Sequence, residues 1–374
     1  MPSWLKEGRG SLCGANVSLL LREMGITKPL LVAGERTKNV FFARTGMRLP
    51  VFDAFHPNPD LQDCVAGAAL YQEKGCDGLI SIGGGSAMDT AKGIKALLMT
   101  DIAHVRANQL PSEGNVPHLA IPGTAGTGAE TTAVAVLYED GQKLSVDHPA
   151  LLPDGVLLDG SLLDTLPEYH RKSCAMDALA QGIESWWAKK ATPDSRIHAE
   201  RAIRGVLDNL TAYLQGDRKA QDEMLHAAYE SGVAILTTRT TAAHAMSYQI
   251  TKKLGAAHGH ACMLTLPHLW AHLAAQAEYQ PMLTEVSRLL GGEKPMDGAI
   301  LLKGLLAVLE LDKIPMPDDA TLDMLAASVN PERLGNHPEA LTTAQLRAIY
   351  VQAFTPMTDT ERAEAIAAWE QYGK

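Results

Sequence analysis

The stretch Thr240–His260, TTAAHAMSYQITKKLGAAHGH, gathers three imidazoles, a phenol and two lysines in an otherwise small and apolar segment. His244 falls among alanines and a methionine, where a helical pattern buries it. His258-Gly259-His260 follows a helix stop at Gly255. Neutral imidazole is the commonest protein metal ligand, and a metal needs several donors converging on one point. Upstream, Asp177 and Gln181 in MDALAQ stand at i and i+4, so a helix aims both at the same spot. A carboxylate, an amide oxygen and two imidazoles make a divalent-metal set. Spacing alone leaves a second reading open: His244 as a hydrogen-bonded core histidine, His258 and His260 as turn residues.

Two glycine-rich stretches suggest a different chemistry. Gly83-Gly84-Gly85-Ser86 follows an apolar run and opens the helical pattern AMDTAK. Such a loop lets backbone approach a phosphate and offers it the N–H groups of a helix start. It is neither GxGxxG nor a Walker loop, and a tight turn without a ligand is its plain alternative. Gly123-Thr124-Ala125-Gly126-Thr127-Gly128 is a second such loop, and together the two point to a nucleotide cleft.

The elements that must position these residues divide the chain. Pro29–Gly34, Leu49–Phe52, Gly78–Ile82, His118–Pro122 and Leu151–Asp159 read as strands. They alternate with helical patterns such as Asp60–Gly75, whose apolar face is Leu61, Val65, Ala68 and Ala69. That alternation predicts a parallel sheet with helices on both faces. From Pro167 onward alanine-rich helical patterns follow one another, with Ile314–Asp319 as a loop between helices. The expected organisation is an α/β domain over 1–166 and an all-α domain over 167–374.

Composition limits the function classes. The 374 residues are 46% hydrophobic and 20% charged, with a net charge of −10. An ordinary globular protein is expected, and the acidic balance argues against a nucleic-acid binder. Five scattered cysteines without a CxxC pair point to a reduced compartment. The opening MPSWLKEGRG lacks a basic-then-apolar leader pattern, and no apolar run approaches membrane-spanning length. A cytoplasmic protein is expected.

The blocks GGGSAMDTAKG, PGTAGTGAETT, LLPDGVLLD, MDALAQGIE and the spaced His244…His258-Gly259 together resemble the iron-containing alcohol dehydrogenase family, in that family's order. The resemblance implies a Rossmann-like domain and a helical domain, similar to dehydroquinate synthase. A nicotinamide cofactor and a divalent metal, Fe2+ or Zn2+, would meet in the cleft between them, in a homodimer or higher homo-oligomer. It places Gly84, Gly85 and Ser86 along the pyrophosphate and Thr124 and Thr127 near the cofactor. Asp89 belongs to the same binding block, and Lys143 would lie near the nicotinamide ribose. The metal ligands fall on Asp177, Gln181, His244 and His258, with Gln181 where the family usually has histidine. Tyr248 replaces a further histidine near the substrate and is a proton donor by type. NAD-selective members resemble one another in carrying aspartate where this chain has Gly34. With Arg36 and Lys38 close by, NADPH is expected to be accepted, with NADH as the alternative cofactor.

MDALAQ with TTAAHAMSY…HGHA also resembles the branch that reduces phosphonoacetaldehyde to 2-hydroxyethylphosphonate. Arg239, Thr241 and His260 would then meet the anionic tail of a small aldehyde, since Arg matches a phosphonate by bidentate geometry. Lys252 and Lys253 read as a solvated helix end. The expected activity is metal-dependent, NAD(P)H-dependent reduction of a small aldehyde to a primary alcohol. A lyase on the dehydroquinate synthase scaffold and a metal-free binding protein are the rival readings.

Overall fold

Strands buried on both faces need no polar alternation, and Pro29-Leu30-Leu31-Val32-Ala33 is such a run, buried at every position. Leu30 and Val32 pack on one side with Leu61, Cys64 and Ile94. Leu31 and Ala33 pack on the other with Val17, Leu20 and Phe41. Residues 6–112 and 116–372 are described in the computed structural model. The reading of the opening MPSWLKEGRG falls in part on residues 1–5, which lie outside the described residues. The chain divides into two compact units, Met1–Leu166 and Pro167–Lys374.

In the first unit the strands are β1 (Lys6–Arg9), β2 (Pro29–Ala33), β3 (Val51–Phe52), β4 (Gly78–Gly83), β5 (His118–Pro122), β6 (Val134–Glu139), β7 (Gln142–Asp147) and β8 (Gly155–Leu158). Six of them form a parallel sheet in the order β1-β8-β5-β4-β2-β3. Helices α1 (Gly14–Glu23), α2 (Glu35–Thr45), α3 (Leu61–Lys74), α4 (Gly85–Met99) and the short α5 (Ile102–Arg106) complete the unit. β1 and the antiparallel hairpin β6–β7 go beyond the strands expected from sequence. β1 reads KEGR and carries no apolar signal.

Helix α3 starts on an Asp60/Asp63 capping box and ends on left-handed Gly75 at φ 60°. Its buried face is Leu61, Cys64, Gly67 and Ala68, while Val65 and Ala69 are exposed. Leu61 and Ala68 of the expected face are buried, and the rest of the face shifts to Cys64 and Gly67 because small residues make the contact with α4. A Cβ on Gly67 would meet Ile94 at 2.3 Å, and one on Gly93 would meet Cys64 Sγ at 2.4 Å.

The second unit contains no strand among its described residues. Its helices are α6 (Glu168–Trp187), α7 (Pro193–Leu214), α8 (Arg218–Thr238), α9 (Ala242–Gln249) and α10 (His258–Ala274). There follow α11 (Gln280–Leu289), α12 (Asp297–Val308), α13 (Asp319–Ala327), α14 (Pro331–Gly335), α15 (Thr343–Phe354) and α16 (Asp359–Tyr372). A π-helical turn, Ile250–Leu254, continues α9 and stops at left-handed Gly255, φ 74°. Lys252 and Lys253 lie exposed on that turn. Among the described residues no helix is long and apolar enough to cross a membrane.

Candidate functional site

Asp177, Gln181 and Glu184 stand at i, i+4 and i+7 on α6, on one buried face. Glu184 organises the start of α9. Its Oε1 accepts from the backbone N–H groups of Thr241 at 3.0 Å and Ala243 at 2.9 Å, a carboxylate at a helix N-terminus. Its other oxygen meets Nδ1 of His244. The ring is thereby oriented, and Nε2 of His244 faces Asp177 Oδ1 at 3.2 Å. A carboxylate behind a histidine in this way fixes the tautomer that presents the far nitrogen to a metal.

His258 arrives from α10. A Cβ on Gly259 would fall 2.0 Å from Ser173 O and 2.7 Å from Asp177 N, so only glycine lets α10 start this close to α6. His258 Nε2 lies 3.9 Å from Asp177 Oδ1. Its Nδ1 is 3.3 Å from Ser247 Oγ, and that hydroxyl donates to His244 O at 2.8 Å. Ser247 therefore accepts from Nδ1–H, and the Nε2 lone pair is turned to Asp177. Cys262, one turn further along α10, brings Sγ to 3.8 Å from His258 Nε2. The donor atoms of Asp177, His244, His258 and Cys262 all lie within 4.8 Å of one another.

Two imidazole lone pairs aimed at one buried carboxylate repel it unless positive charge stands between them. The protonation of the cluster reflects that demand. Burial opposes the imidazolium, yet Cys262 and Asp177 push His258 up to about 9. Burial likewise opposes a charged His244, but Cys262 and Glu184 hold it well above its ordinary value. Burial raises Asp177, and His258 and His244 more than offset it, leaving the carboxyl low. A divalent cation would supply the same charge in place of the protons. The residues fit a metal.

The glycine loops lie in the first unit. Gly84 caps α4 with no side chain, after Gly83 at φ +147°, so the helix N-terminus is open to an anion. A cavity of about 320 Å³ is lined there by Gly34, Arg36, Gly84, Gly85, Ser86 and Thr124, among others. The two loops press together through Gly123 N–H donating to Gly83 O at 2.7 Å. Thr127 stands behind Gly85, its methyl 3.5 Å from where a Cβ would be. Asp89 and Lys143 lie outside the lining of this cavity but near each other. Burial raises Asp89 to about 6, with Lys92, the Val136 backbone and Lys143 pulling against it. Lys38 is held by Glu35 at 2.5 Å and Asp53 at 2.7 Å. Of the two cations expected near a 2′-phosphate, only Arg36 reaches the cavity wall.

Residues 3–160 match the family model described as iron-containing alcohol dehydrogenase, and residues 172–354 match the C-terminal model of the same family. The chain belongs to the iron-containing alcohol dehydrogenase family. Over 228 residues it is 36% identical to phosphonoacetaldehyde reductase from Streptomyces viridochromogenes, a match covering 57% of this chain and 58% of that protein. It is 30% identical over 304 residues to NAD-dependent methanol dehydrogenase from Bacillus methanolicus, covering 76% of this chain and 77% of that one. The crystal structure of sulfoacetaldehyde reductase from Bifidobacterium kashiwanohense in complex with NAD+ aligns at a TM-score of 0.84 and 26% identity, covering 95% and 97% of the two chains. The fold, an α/β unit followed by a helical one, is dehydroquinate synthase-like, and the chain is an oxidoreductase of the alcohol dehydrogenase and aldehyde reductase type.

In this member of the family the donors expected around an anionic tail are not assembled as the sequence suggests. Thr241 is fully buried. Its hydroxyl donates to Glu184 Oε1 at 2.5 Å and accepts from Trp187 Nε1 at 3.0 Å. His260 is locked between Leu311 O, 2.8 Å from Nε2, and Tyr169 OH, 3.1 Å from Nδ1. Both are anchors of the helical core. Arg239 follows α8 at φ 62°, ψ 176°, a conformation rare for a side-chain-bearing residue. Asn336 holds that turn by donating to Thr238 O at 2.8 Å and Thr240 O at 3.0 Å. Arg239 Nη1 donates to Leu236 O at 3.0 Å. Tyr248 stacks on His258, ring centroids 6.0 Å apart and planes 6° apart.

Gln181 donates from Nε2 to Asp177 Oδ1 at 3.4 Å, while its Oε1 accepts from Ser231 Oγ at 2.7 Å. Sequence reasoning misses Glu184 and Cys262. The signals are there: Glu184 continues the Asp177/Gln181 face by one more turn, and Cys262 is i+4 from His258.

Proposed function

We propose that this enzyme reduces a small aldehyde with an anionic tail to the primary alcohol, with phosphonoacetaldehyde the foremost substrate. The observation that carries the reading is the convergence of Asp177, His244 and His258 on one point, each imidazole backed by a hydrogen-bond partner on its far nitrogen. A bound divalent metal would supply Lewis-acid polarisation of the carbonyl, and reduced nicotinamide the hydride. Asp177, His244 and His258 would hold that metal, and Glu184 and Ser247 keep their rings turned to it. The loop Gly84-Gly85-Ser86 would take the pyrophosphate at the open start of α4, with Thr124 opposite. Thr127 would support that loop from behind Gly85, while Asp89 and Lys143 lie outside the cavity lining. Tyr248, half-buried on the face of His258, would give its phenolic proton to the alkoxide oxygen.

The anionic tail would be met by two arginines that neighbour Thr240, one in sequence and one in space. One is Arg239, the preceding residue; the other is Arg333, whose Nη1 donates to Thr240 Oγ1 at 2.8 Å. The names of two relatives, phosphonoacetaldehyde reductase and sulfoacetaldehyde reductase, point to the same kind of substrate. Gly34 offers no carboxylate to repel a 2′-phosphate, and Arg36 shares its cavity, so NADPH is accepted with NADH.

The test measures kcat/KM on phosphonoacetaldehyde, sulfoacetaldehyde and propanal with both reduced cofactors, in wild type and Arg239→Ala. The variant should lose on the order of 2–5 kcal/mol of transition-state binding for the charged aldehydes and little for propanal. Equal losses on all three would reduce the reading to an alcohol dehydrogenase of another small substrate.

A further inference from the structure

The donor set contains one member to which aldehyde reduction as proposed gives no role. Cys262 is fully buried, and its Sγ lies 3.9 and 3.8 Å from the two ring nitrogens of His258. It belongs to the same group of donor atoms as Asp177 and His244, all within 4.8 Å of one another. Ligands of a tetrahedral metal with bonds of 2.0–2.3 Å stand about 3.5 Å apart. The thiol is therefore at ligand spacing before any ion arrives. Gln181 is not. Its amide oxygen is occupied by Ser231, and its amide nitrogen, which cannot bind a cation, faces Asp177.

We propose that Cys262, as its thiolate, is a fourth protein ligand of the metal centre, with the Gln181 amide nitrogen holding Asp177 Oδ1. This rests on the reading that Asp177, His244 and His258 bind a metal. Binding releases the thiol proton to solvent as the sulfur–metal bond forms. A sulfur donor in a carboxylate–imidazole site shifts its preference toward borderline metals, so Zn2+ or Co2+ should be held in preference to Fe2+.

Cobalt substitution tests this without relying on turnover. Co2+ bound to a thiolate has a sulfur-to-metal charge-transfer absorption in the near ultraviolet, which nitrogen and oxygen ligands do not produce. One equivalent of Co2+ in the wild type should give that band, and Cys262→Ser should lose it while still binding cobalt. Cys174→Ser, altering the cysteine three residues before Asp177 on α6, should keep it. Bound cobalt with no such band in the wild type, or a band that survives Cys262→Ser, overturns the assignment and leaves the metal centre standing. Failure of the wild type to bind cobalt overturns both. Where the serine variant does not fold, bound cobalt without the band in the wild type still overturns the assignment.

Discussion

At the scale of single residues, the helical unit buries an imidazole between two carboxylates. His244 has Glu184 on one nitrogen and Asp177 on the other. An arrangement that serves packing alone would not need the second carboxylate. The three candidate ligands Asp177, His244 and His258 are legible in the sequence because each sits at a helical spacing or beside a helix stop. Arg239 shows where such reading ends. Its side-chain direction follows from a backbone at φ 62°, and nothing in TTRTTAAH announces a positive φ at arginine. Thr241 and His260 read as donors by type, whereas their hydrogen bonds are satisfied by Glu184, Trp187, Leu311 and Tyr169, partners distant in sequence.

The nucleotide-type unit has its own residue-scale prediction. Glu130 is buried beside the second glycine loop, with Oε1 unpartnered. Burial raises it to about 7, only partly offset by its own backbone N–H and Lys92. A carboxyl whose folded value exceeds its unfolded value of 4.5 holds its proton more tightly when folded. Its contribution is complete below about 4.5 and is lost as the pH rises to about 7. Glu130→Gln should therefore unfold with a flatter pH dependence across that window, gaining on the order of 1–3 kcal/mol relative to wild type at pH ~8. Parallel pH profiles of the two proteins in denaturant titrations would refute this.

At the scale of elements, the site depends on how closely α10 starts against α6. Gly259 sets that distance. Gly259→Ala should cost about 1–3 kcal/mol of stability by overpacking and should move His258 away from Asp177. Metal content should fall together with melting temperature; wild-type metal content at an unchanged melting temperature would remove Gly259 from the account. The strands β2, β4 and β5 can be found in the sequence because they are continuous apolar runs buried on both faces. β1 and the hairpin β6–β7 cannot. Four residues reading KEGR are recruited by pairing with β8, and β6 and β7 are stabilised by each other and by the helices beneath them. The phase error on α3 has a related cause: where glycine and cysteine make the helix contact, hydrophobicity no longer marks the buried face.

At the scale of the whole molecule, the two units carry different halves of the chemistry. The α/β unit presents an open helix N-terminus and a cavity bounded by two glycine loops; the helical unit presents the metal-type donors. Both halves are legible as sequence motifs, because backbone approach to phosphate and convergence on a cation each impose a residue type and a spacing. The central claim is that Asp177, His244 and His258 bind a divalent metal on which reduction depends. Its most direct test is metal content and NAD(P)H oxidation, measured on the same preparations with phosphonoacetaldehyde as substrate. Wild type should carry about one metal per chain, lose turnover when stripped and regain it on adding Zn2+ or Fe2+. His258→Ala should stay folded, bind little metal and recover no turnover. Full turnover by thoroughly stripped wild type, or by metal-free His258→Ala, would contradict the account.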